Sequence, residues 1–453
     1  MFQKNKILTK AIGVALLSCA ATAQSANWLM LQGTEPAGQS ERARVWGFIQ
    51  AQYQYDNSDP SYKPNPVGGY IPPKLIGPNL DDQSAFNVNR ARIGVRGTGF
   101  PLDSEVNYFI LAEFGNNGIT YGEDGKHLTD ASITLNQIPG ARIRVGLFKY
   151  PGAEEGLQAI HVFDYINFSQ VTNQLLLERF PAYNSTACET TIDDSVTPNT
   201  AATVCEPFVA NRAPSPTPDA NMNMYTTSVG AFRDVGIQVF DTFKVSNWEH
   251  SYAVMVGNGN GLNYSDNNNN KDYYLYWSSE LVYGGKGGRR EGWKTFAWYQ
   301  DGERTDISDP RKSQDRTRAG VGTKYLNKPF RFTAEYVEGK GMIFQGQHRP
   351  RDIFNDEEAH GYYVEGGWYI PNTDFEIDLR YDTYTRGENH KTSSANDEST
   401  ANTVTVGGQY HINKKTRINA EYAMRDWESD TAIVNTQVEG VADRFAIQVT
   451  HIF

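Results

Sequence analysis

The feature that most constrains this chain is an alternation of apolar and polar residues, repeated along most of its length. Over 45–55, apolar residues such as Val45 and Ile49 fall on one face, and Gln50 and Gln54 fall on the other. Successive side chains of a β-strand point to opposite faces of a sheet, so this segment predicts a strand with one apolar and one wet face. The same alternation recurs elsewhere, for example over 129–138, 141–148, 375–382 and 417–425.

We identify about sixteen segments of this kind from their period of two. Their centres are Ile49, Ala91, Ile110, Ile133, Val145, Val239, Val254, Trp277, Ala297, Val321, Ala334, Val364, Leu379, Val406, Tyr422 and Ile447. Short connections lie at 139–140, 327–329, 371–373 and 413–415, and long ones at 57–84, 151–233, 258–271, 341–359 and 387–401. Short turns, long loops and an even strand number are typical of a closed transmembrane antiparallel β-barrel. Closure satisfies every backbone hydrogen bond in lipid, and the wet face then lines a lumen.

Composition narrows the fold class further. The mean hydropathy is −0.57 and aromatic residues make up 12% of the chain. Such a chain is too polar for a helical membrane protein and too aromatic for a disordered one. A soluble all-β protein with tandem sandwiches is the alternative, because its strands also alternate. Aromatic residues near strand ends favour the barrel, since they predict two interfacial girdles: Trp46, Tyr53, Tyr55, Trp293, Trp298, Tyr299, Trp368 and Tyr369.

The N-terminal segment has the features of a secretory signal peptide. Three lysines precede an apolar run over 11–17, and the small-residue site Ala21-Thr22-Ala23 follows. This order predicts export and cleavage, with 1–23 as the signal peptide and 24–453 as the mature barrel. The residues before Cys19 partly resemble a lipoprotein cleavage box, so lipid attachment at Cys19 is the alternative.

Charge and cysteine content bound the partners of the mature chain. Loss of three lysines changes the formal charge from −11 to −14, and an acidic chain argues against nucleic-acid binding. Cys188 and Cys205 both lie in a stretch rich in Pro, Thr and Asn, at 182–224. In an oxidising compartment, two neighbouring cysteines predict a disulfide that closes an external part of the chain. No further cysteine or histidine lies nearby, so we expect neither a zinc site nor another cofactor.

A set of basic side chains is predicted by parity to line the pore: Arg90, Arg92, Arg96, Arg142, Arg144, Arg318, Lys324 and Arg331. Acidic side chains point the same way: Glu105, Glu113, Asp130, Glu335, Glu365, Glu376, Asp378 and Glu421. Basic rings select anions and acidic rings select cations. The five arginines of the second and fifth strands favour anions, whereas the acids of the second half leave cations as an alternative. For any single residue, a solvated wall is the simpler interpretation.

The connection over 151–233 is the candidate for a pore constriction. Its part over 157–180 is too apolar to extend into water, so we expect it to fold inward and pack on the barrel wall. An external cap, or a lid at a trimer contact, is the alternative. The charged residues of this constriction loop are one base and four acids, namely Arg179, Glu154, Glu155, Asp164 and Glu178.

The last strand and the scattered histidines bear on assembly and on catalysis. The alternating segment over 445–453 ends in Phe453, which resembles the assembly signal that the barrel-assembly machinery recognises in bacterial outer-membrane proteins. No HExxH motif or other catalytic constellation is present in the sequence. The sequence therefore predicts a channel and not an enzyme.

Two motifs resemble the phosphate-selective porin O/P family. They are NRARIGVRG over 89–97 and RIRVGLFKYP over 142–151, followed by Glu154 and Glu155, and the resemblance spans most of the mature chain. It implies a sixteen-stranded homotrimeric porin of the Gram-negative outer membrane, surrounded by lipid and lipopolysaccharide. It also implies passive diffusion of small anionic solutes such as phosphate. Two alternatives stay open: a porin for other or cationic solutes, and the barrel sheath of a multiprotein electron-transfer complex.

Overall fold

The fold was obtained as a computed structural model. The structure describes residues 27–31, 42–58, 84–98, 105–117, 119–120, 128–178, 186–192, 201–207, 230–262, 266, 268–285, 289–305, 313–344, 353–354, 356–388, 391–392, 395–396, 398–429, 435 and 440–453. The predicted signal peptide over 1–23, Cys19 and Arg179 lie outside these residues.

Sixteen antiparallel strands form a closed barrel in which each strand pairs with its neighbours in the chain, and the first pairs with the last. They are β1 (Arg44–Asp56), β2 (Ser84–Thr98), β3 (Val106–Glu113), β4 (Leu128–Leu135), β5 (Arg142–Lys149), β6 (Arg233–Val245), β7 (Trp248–Gly257), β8 (Asp272–Gly284), β9 (Glu291–Thr305), β10 (Ser313–Asn327), β11 (Phe330–Lys340), β12 (Glu358–Tyr369), β13 (Phe375–Arg386), β14 (Ser399–Asn413), β15 (Thr416–Glu428) and β16 (Arg444–Ile452). All sixteen predicted centres fall inside these strands, so the predicted fold class is confirmed.

The barrel closes where the two ends of the sheet meet. Phe453 donates its backbone N–H to the carbonyl oxygen of Gly47 at 3.0 Å, beside the regular pairing of β1 with β16. The aromatic ring of Phe453 packs over Gly47, where a Cβ would lie 2.4 Å from a ring carbon. Glycine at this position therefore makes room for the terminal phenylalanine.

The two faces of each strand have opposite chemistry, as the alternation predicts. On β1, Ile49 is 43% exposed on the outer face and Gln50 is 1% exposed on the inner face. Side chains on the inner face meet other protein groups, whereas those on the outer face meet the surroundings of the barrel. In a bilayer, that outer face would contact lipid.

Three of the aromatic residues predicted to form girdles face the lumen instead. Trp298 is buried and donates its indole N–H to Glu335 at 2.7 Å. The hydroxyl of Tyr369 accepts a hydrogen bond from Arg289 at 2.8 Å, and Trp46 packs on Phe48 inside the barrel. The prediction was wrong for Trp46, Trp298 and Tyr369 because it used nearness to a strand end and ignored parity. Trp293, Tyr299 and Trp368 do lie on the outer face.

Short connections gather at one end of the barrel, as at Ser246 between β6 and β7 and at the turn before Phe330. The long connection after β5 is described over 150–178, and we call this part the inward segment. It contains a helical turn, α2 (Glu154–Leu157), and a second turn over Thr172–Leu176. A further helical turn, α1 (Trp28–Leu31), precedes β1. No described helix is long and apolar enough to cross a bilayer.

Small hairpins lie outside the barrel sheet. One pairs Thr186–Ile192 with Ala201–Pro207, and its register places Cys188 opposite Cys205. Two shorter hairpins pair Ile343–Phe344 with Ile353–Phe354, and Lys391–Thr392 with Ala395–Asn396. The rest of the predicted external part over 182–224 lies outside the described residues.

Candidate functional site in the barrel interior

The inward segment lies against the inner wall of the barrel and is almost wholly buried. Carboxylates that point inward from the strands accept hydrogen bonds from several of its backbone N–H groups. Glu154 donates its N–H to Glu335 at 3.0 Å, and Ile166 donates its N–H to Glu421 at 2.7 Å. Two of the acids predicted to line the pore, Glu335 and Glu421, therefore hold this segment.

Close packing fixes the far part of the segment as well. Val171 lies against Gly361 of β12, where an added Cβ would come within 2.9 Å of the Val171 side chain. Gln170 donates its N–H to Asp382 of β13 at 2.7 Å. A larger residue at 361 would push the segment away from the wall.

The first acid of the segment lies between two lysines. Glu154 forms an ion pair with Lys324 of β10 at 3.0 Å and also pairs with Lys294 of β9. Burial by itself raises the pKa of Glu154, but the two ammonium groups outweigh it and lower the pKa to about 2. Glu154 is therefore ionised at neutral pH and neutralises Lys324, one of the predicted pore-lining bases.

The other three acids of the segment are neutralised in the same way. Arg318 and Arg331, both predicted to line the pore, point inward but contact these acids. The pairs and their distances are Glu155 with Arg380 at 3.6 Å, Asp164 with Arg289 at 2.7 Å and Arg331 at 3.3 Å, and Glu178 with Arg304 and Arg318 at 3.3 Å each. Arg316 also pairs with Glu178. The bases of the second half of the chain thus anchor the inward segment.

The arginines of β2 are positioned by a bulge. The register shifts between Gln50 and Ala51, so that Arg90 pairs with Gln50 while Val88 pairs with Ala51. A bulge reverses the parity of one strand locally, which leaves Val88 on the outer face and Arg90 inside. Arg90 donates to the Gln50 side chain at 3.1 Å.

The five predicted arginines of β2 and β5 all point inward, but only some are neutralised. Arg92 pairs with Glu113 at 2.7 Å, and Arg142 pairs with Asp241 at 3.3 Å. Arg96 donates to the carbonyl oxygen of Leu31 at 3.1 Å. Arg90 and Arg144 have no carboxylate within ion-pair distance among the described residues. This wall therefore keeps an excess of positive charge.

Arg144 is held by aromatic rings rather than by an acid. Its guanidinium carbon lies 4.5 Å from the ring centroid of Phe240 and 5.4 Å from that of Phe148. Such contacts orient a cation without removing its charge. One terminal nitrogen of Arg144 is buried with no hydrogen-bond acceptor among the described residues.

Sequence reasoning missed several inward bases. Arg233 begins β6 and pairs with Asp130 at 3.0 Å, and the Lys149 ammonium donates to the carbonyl oxygens of Gly156 and Gln158 at 2.7 and 2.8 Å. The long connection hides where β6 begins, so its parity gave no signal for Arg233. Parity alone would have identified the inward bases of the later strands, namely Lys294, Arg304, Arg316 and Arg380.

The turn α1 lies inside the lumen, near the end with the short connections, and nothing in the sequence indicated this. Asn27 donates its side-chain amide to Ser251 at 2.6 Å. The ammonium of Lys324 lies 5.9 Å from the Trp28 ring centroid. Together with the inward segment, α1 narrows the space left for solutes. Within the described chain, no group of three or more His, Cys, Asp or Glu residues could hold a metal ion.

Comparison with solved structures agrees with the barrel architecture. OmpF of Salmonella typhi, in a complex with daunomycin, is 13% identical with a TM-score of 0.51, over 91% of this chain and 97% of that chain. The outer membrane channel DcaP of Acinetobacter baumannii is 12% identical with a TM-score of 0.48, over 93% and 100%. The loop L8 deletion mutant of OmpT from Vibrio cholerae is 10% identical with a TM-score of 0.49, over 91% and 99%. The likeness to OmpF, at 13% identity, shows the fold alone.

Comparison at the level of sequence identifies the family. No curated protein sequence matches the chain. The family model described as Gram-negative porin matches residues 11–430, which is most of the chain. That match and the sixteen-stranded closed barrel agree with each other. This chain belongs to the Gram-negative porin family, whose members reside in the outer membrane.

Proposed function

We propose that this protein is a passive channel for small hydrophilic solutes with a preference for anions such as phosphate, and that it has no enzymatic activity. The observation that carries the proposal is the uneven neutralisation of the lumen. Arg90 and Arg144 keep their charge along β2 and β5, whereas the acids of the inward segment are each paired with a base. An uncompensated basic wall attracts anions and repels cations.

The crowded lumen supports a channel for small solutes. The inward segment and α1 are buried inside the barrel, and most inner side chains of the described strands are buried too. The free cross-section along the described wall is therefore narrow, and we expect a low conductance. A barrel that sheathes a partner protein would need its lumen free, so this crowding argues against the electron-transfer sheath.

The acids of the second half do not favour cations. Glu376 and Asp378 both pair with Arg331, and Glu335 and Glu421 accept N–H groups of the inward segment. Arg331 balances the charges of Glu376 and Asp378, and Glu335 and Glu421 are buried against the inward segment, where they are not presented to a cation in the lumen. The cation porin is thus the weaker candidate.

Purified protein inserted into planar bilayers tests the channel itself. We expect discrete conductance steps in potassium phosphate as well as in potassium chloride. Steps in chloride without any phosphate current would overturn the phosphate assignment and leave an anion channel. Complete absence of conductance, together with co-purification of a haem protein, would overturn the porin function in favour of the sheath.

Four features of assembly follow from the same proposal. We propose cleavage after Ala23, a Cys188–Cys205 disulfide, recognition of Phe453 by the barrel-assembly machinery, and a homotrimer within lipid and lipopolysaccharide. The hairpin register that places Cys188 opposite Cys205 supports the disulfide. The intact mass of the mature protein tests the first two. We expect the mass of a chain that begins at Gln24, less the two hydrogen atoms that are lost when the disulfide forms. A diacylglyceryl mass on Cys19, or two titratable thiols, would contradict them.

A further inference from the structure

A cavity of about 290 Å³ lies between the wall formed by β1–β5 and the inward segment. The turn α1 borders it through Trp28 and Leu31, and the inward segment borders it through Leu157 and His161. Sites that enclose drug-sized ligands occupy ~300–1,000 Å³. This cavity is therefore large enough for a single-ring molecule and small enough to contact it on several sides.

One side of the cavity is an aromatic wall. Trp46 and Phe109 are stacked at 6.0 Å with an interplanar angle of 15°, and Trp46 and Phe48 are 6.3 Å apart at 28°. His161 lies 5.0 Å from Phe48 on the side of the inward segment. Burial, together with the charges of Arg417, Arg92 and Lys149, lowers the pKa of His161 to about 3, so its ring is neutral at neutral pH. An apolar surface of this kind is unexpected in a hydrophilic lumen.

The other side of the cavity is basic. Arg92, Lys149 and Arg233 line it, together with Arg44 and Arg96, while Asp130 is its one acidic lining residue. Arg92 and Arg233 each share a carboxylate, but the Lys149 ammonium is held by two backbone carbonyl oxygens. No described carboxylate lies within ion-pair distance of the Lys149 nitrogen. An anion in the cavity would therefore meet a net positive surface.

Two of the residues that line the cavity have indole N–H groups without a described acceptor. The indole N–H groups of Trp28 and Trp46 are buried and have no partner among the described residues. An indole nitrogen can only donate, and a buried donor left without an acceptor costs ~1–3 kcal/mol.

From the aromatic wall and the basic side, we propose that this cavity binds a small aromatic carboxylate. The ring packs against Trp46 and Phe109, and the carboxylate faces Lys149 and its neighbours. Phosphate would use only the basic side and leave the aromatic wall without a contact. The inference rests on the proposed anion channel, because it names the class of anion that the channel retains on its way through.

Isothermal titration calorimetry of the detergent-solubilised protein measures binding to the site directly, without recording ion current through the channel. Benzoate is the probe, acetate lacks the ring, benzamide lacks the charge, and inorganic phosphate lacks both the ring and the carboxylate. We expect benzoate to bind at least about tenfold more tightly than each of the other three, a difference of ~1.4 kcal/mol. Equal binding of benzoate and acetate, or of benzoate and benzamide, would overturn the proposal, as would a preference for phosphate.

Variants then locate the binding site. Trp46→Leu removes part of the aromatic wall, and Lys149→Gln removes a charge while keeping N–H donors. We expect each to weaken benzoate binding by about tenfold or more. Lys415→Gln, in an exposed turn between β14 and β15, is the matched control and should bind benzoate like the original protein. Unchanged benzoate binding in both cavity variants would overturn the assignment.

Folding and channel function are followed separately. A change in mobility on heating in denaturing gels shows that a variant was folded as a barrel. If Lys149→Gln fails to fold, Trp46→Leu still tests the site. If the bilayer shows no anion preference but benzoate still binds, the proposed selectivity fails and the site stands. If anions are preferred but benzoate does not bind, the site fails and the channel function stands.

Discussion

A charged side chain in this lumen exerts a net charge on passing solutes only where no opposite charge lies beside it. Arg318, Lys324 and Arg331 point inward, yet each pairs with an acid of the inward segment. Arg90 and Arg144 are as deeply buried, and no described carboxylate lies within ion-pair distance of either. We therefore expect selectivity to depend on a few unbalanced arginines rather than on the number of basic residues.

Removing these two unbalanced charges should weaken the preference for anions. In Arg90→Gln combined with Arg144→Gln, we expect the anion-to-cation permeability ratio to fall by roughly fourfold or more, the effect of a unit charge about 5 Å from the ion path in water. Bilayer reversal potentials measure the ratio. Lys415→Gln removes one exposed charge and should leave it unchanged; an equal ratio in the double variant would exclude these arginines as the selectivity determinant.

Glu178 should matter for stability because three arginines surround it. Glu178→Gln would leave Arg304, Arg316 and Arg318 close together with less negative charge between them. Removing one partner from a buried ionic cluster costs ~3–5 kcal/mol, so we expect a loss of that size in the free energy of unfolding, measured by urea titration in detergent.

The control for Glu178 is an ion pair in an exposed place. Glu358 pairs with Lys340 at 3.6 Å, and both side chains are more than half exposed. Glu358→Gln should change stability by less than about 1 kcal/mol. Equal effects of the two substitutions would show that the cluster around Glu178 does not anchor the inward segment.

At the scale of elements, the strands and the segments inside the barrel follow different rules. Each strand separates two environments, so its alternation is visible in sequence and all sixteen strands were predictable. The inward position of 157–178 was predictable from the apolar residues of this part. Its partners were not, because they come from strands far along the chain, as for Ile166 with Glu421. The position of α1 depends equally on distant contacts, and four residues carry no readable period.

The turn α1 is predicted to restrict the mouth of the pore. Deleting residues 27–31 removes the Trp28 contact with Lys324 and the hydrogen bond from Asn27 to Ser251. We expect a higher single-channel conductance, because the lumen loses a buried obstruction. Replacing 27–31 by a Gly-Ser linker of equal length should have the same effect. If neither variant conducts more than the original protein, α1 does not limit the current.

The inward segment should be held less firmly against the barrel wall at acidic pH. The pKa of Glu154 is lowered to about 2 from an ordinary value of 4.5, so its ionised form is favoured in the folded protein. This stabilisation is complete above the ordinary value and is lost as the pH falls towards about 2. We expect conductance to stay constant between about pH 8 and pH 5, and to rise as the medium becomes more acidic and the segment detaches.

Glu154→Gln tests which group causes this acid response. The variant lacks the negative charge between Lys294 and Lys324 at every pH, so its conductance should be raised already at neutral pH and should change less on acidification. A variant that matches the original protein in both conductance and pH profile would assign the response to other groups.

For the whole molecule, more of the fold than of the candidate site can be predicted from the sequence. Closure into sixteen strands follows from a pattern repeated over the entire chain, and single errors such as Trp298 do not alter it. Selectivity depends on which charges remain unbalanced, and this requires knowing that Glu154 meets Lys324 and that Arg233 meets Asp130. Such pairs join residues far apart in sequence. The predicted inward arginines were therefore placed by parity, while their neutralisation could only be seen in three dimensions.

We attribute the proposed preference of this porin for anions to an uncompensated basic wall along β2 and β5. The most direct test is the zero-current potential of the purified protein in a planar bilayer that separates two concentrations of potassium chloride. We expect a potential of the sign set by chloride permeation. A potential of the sign set by potassium permeation would contradict it.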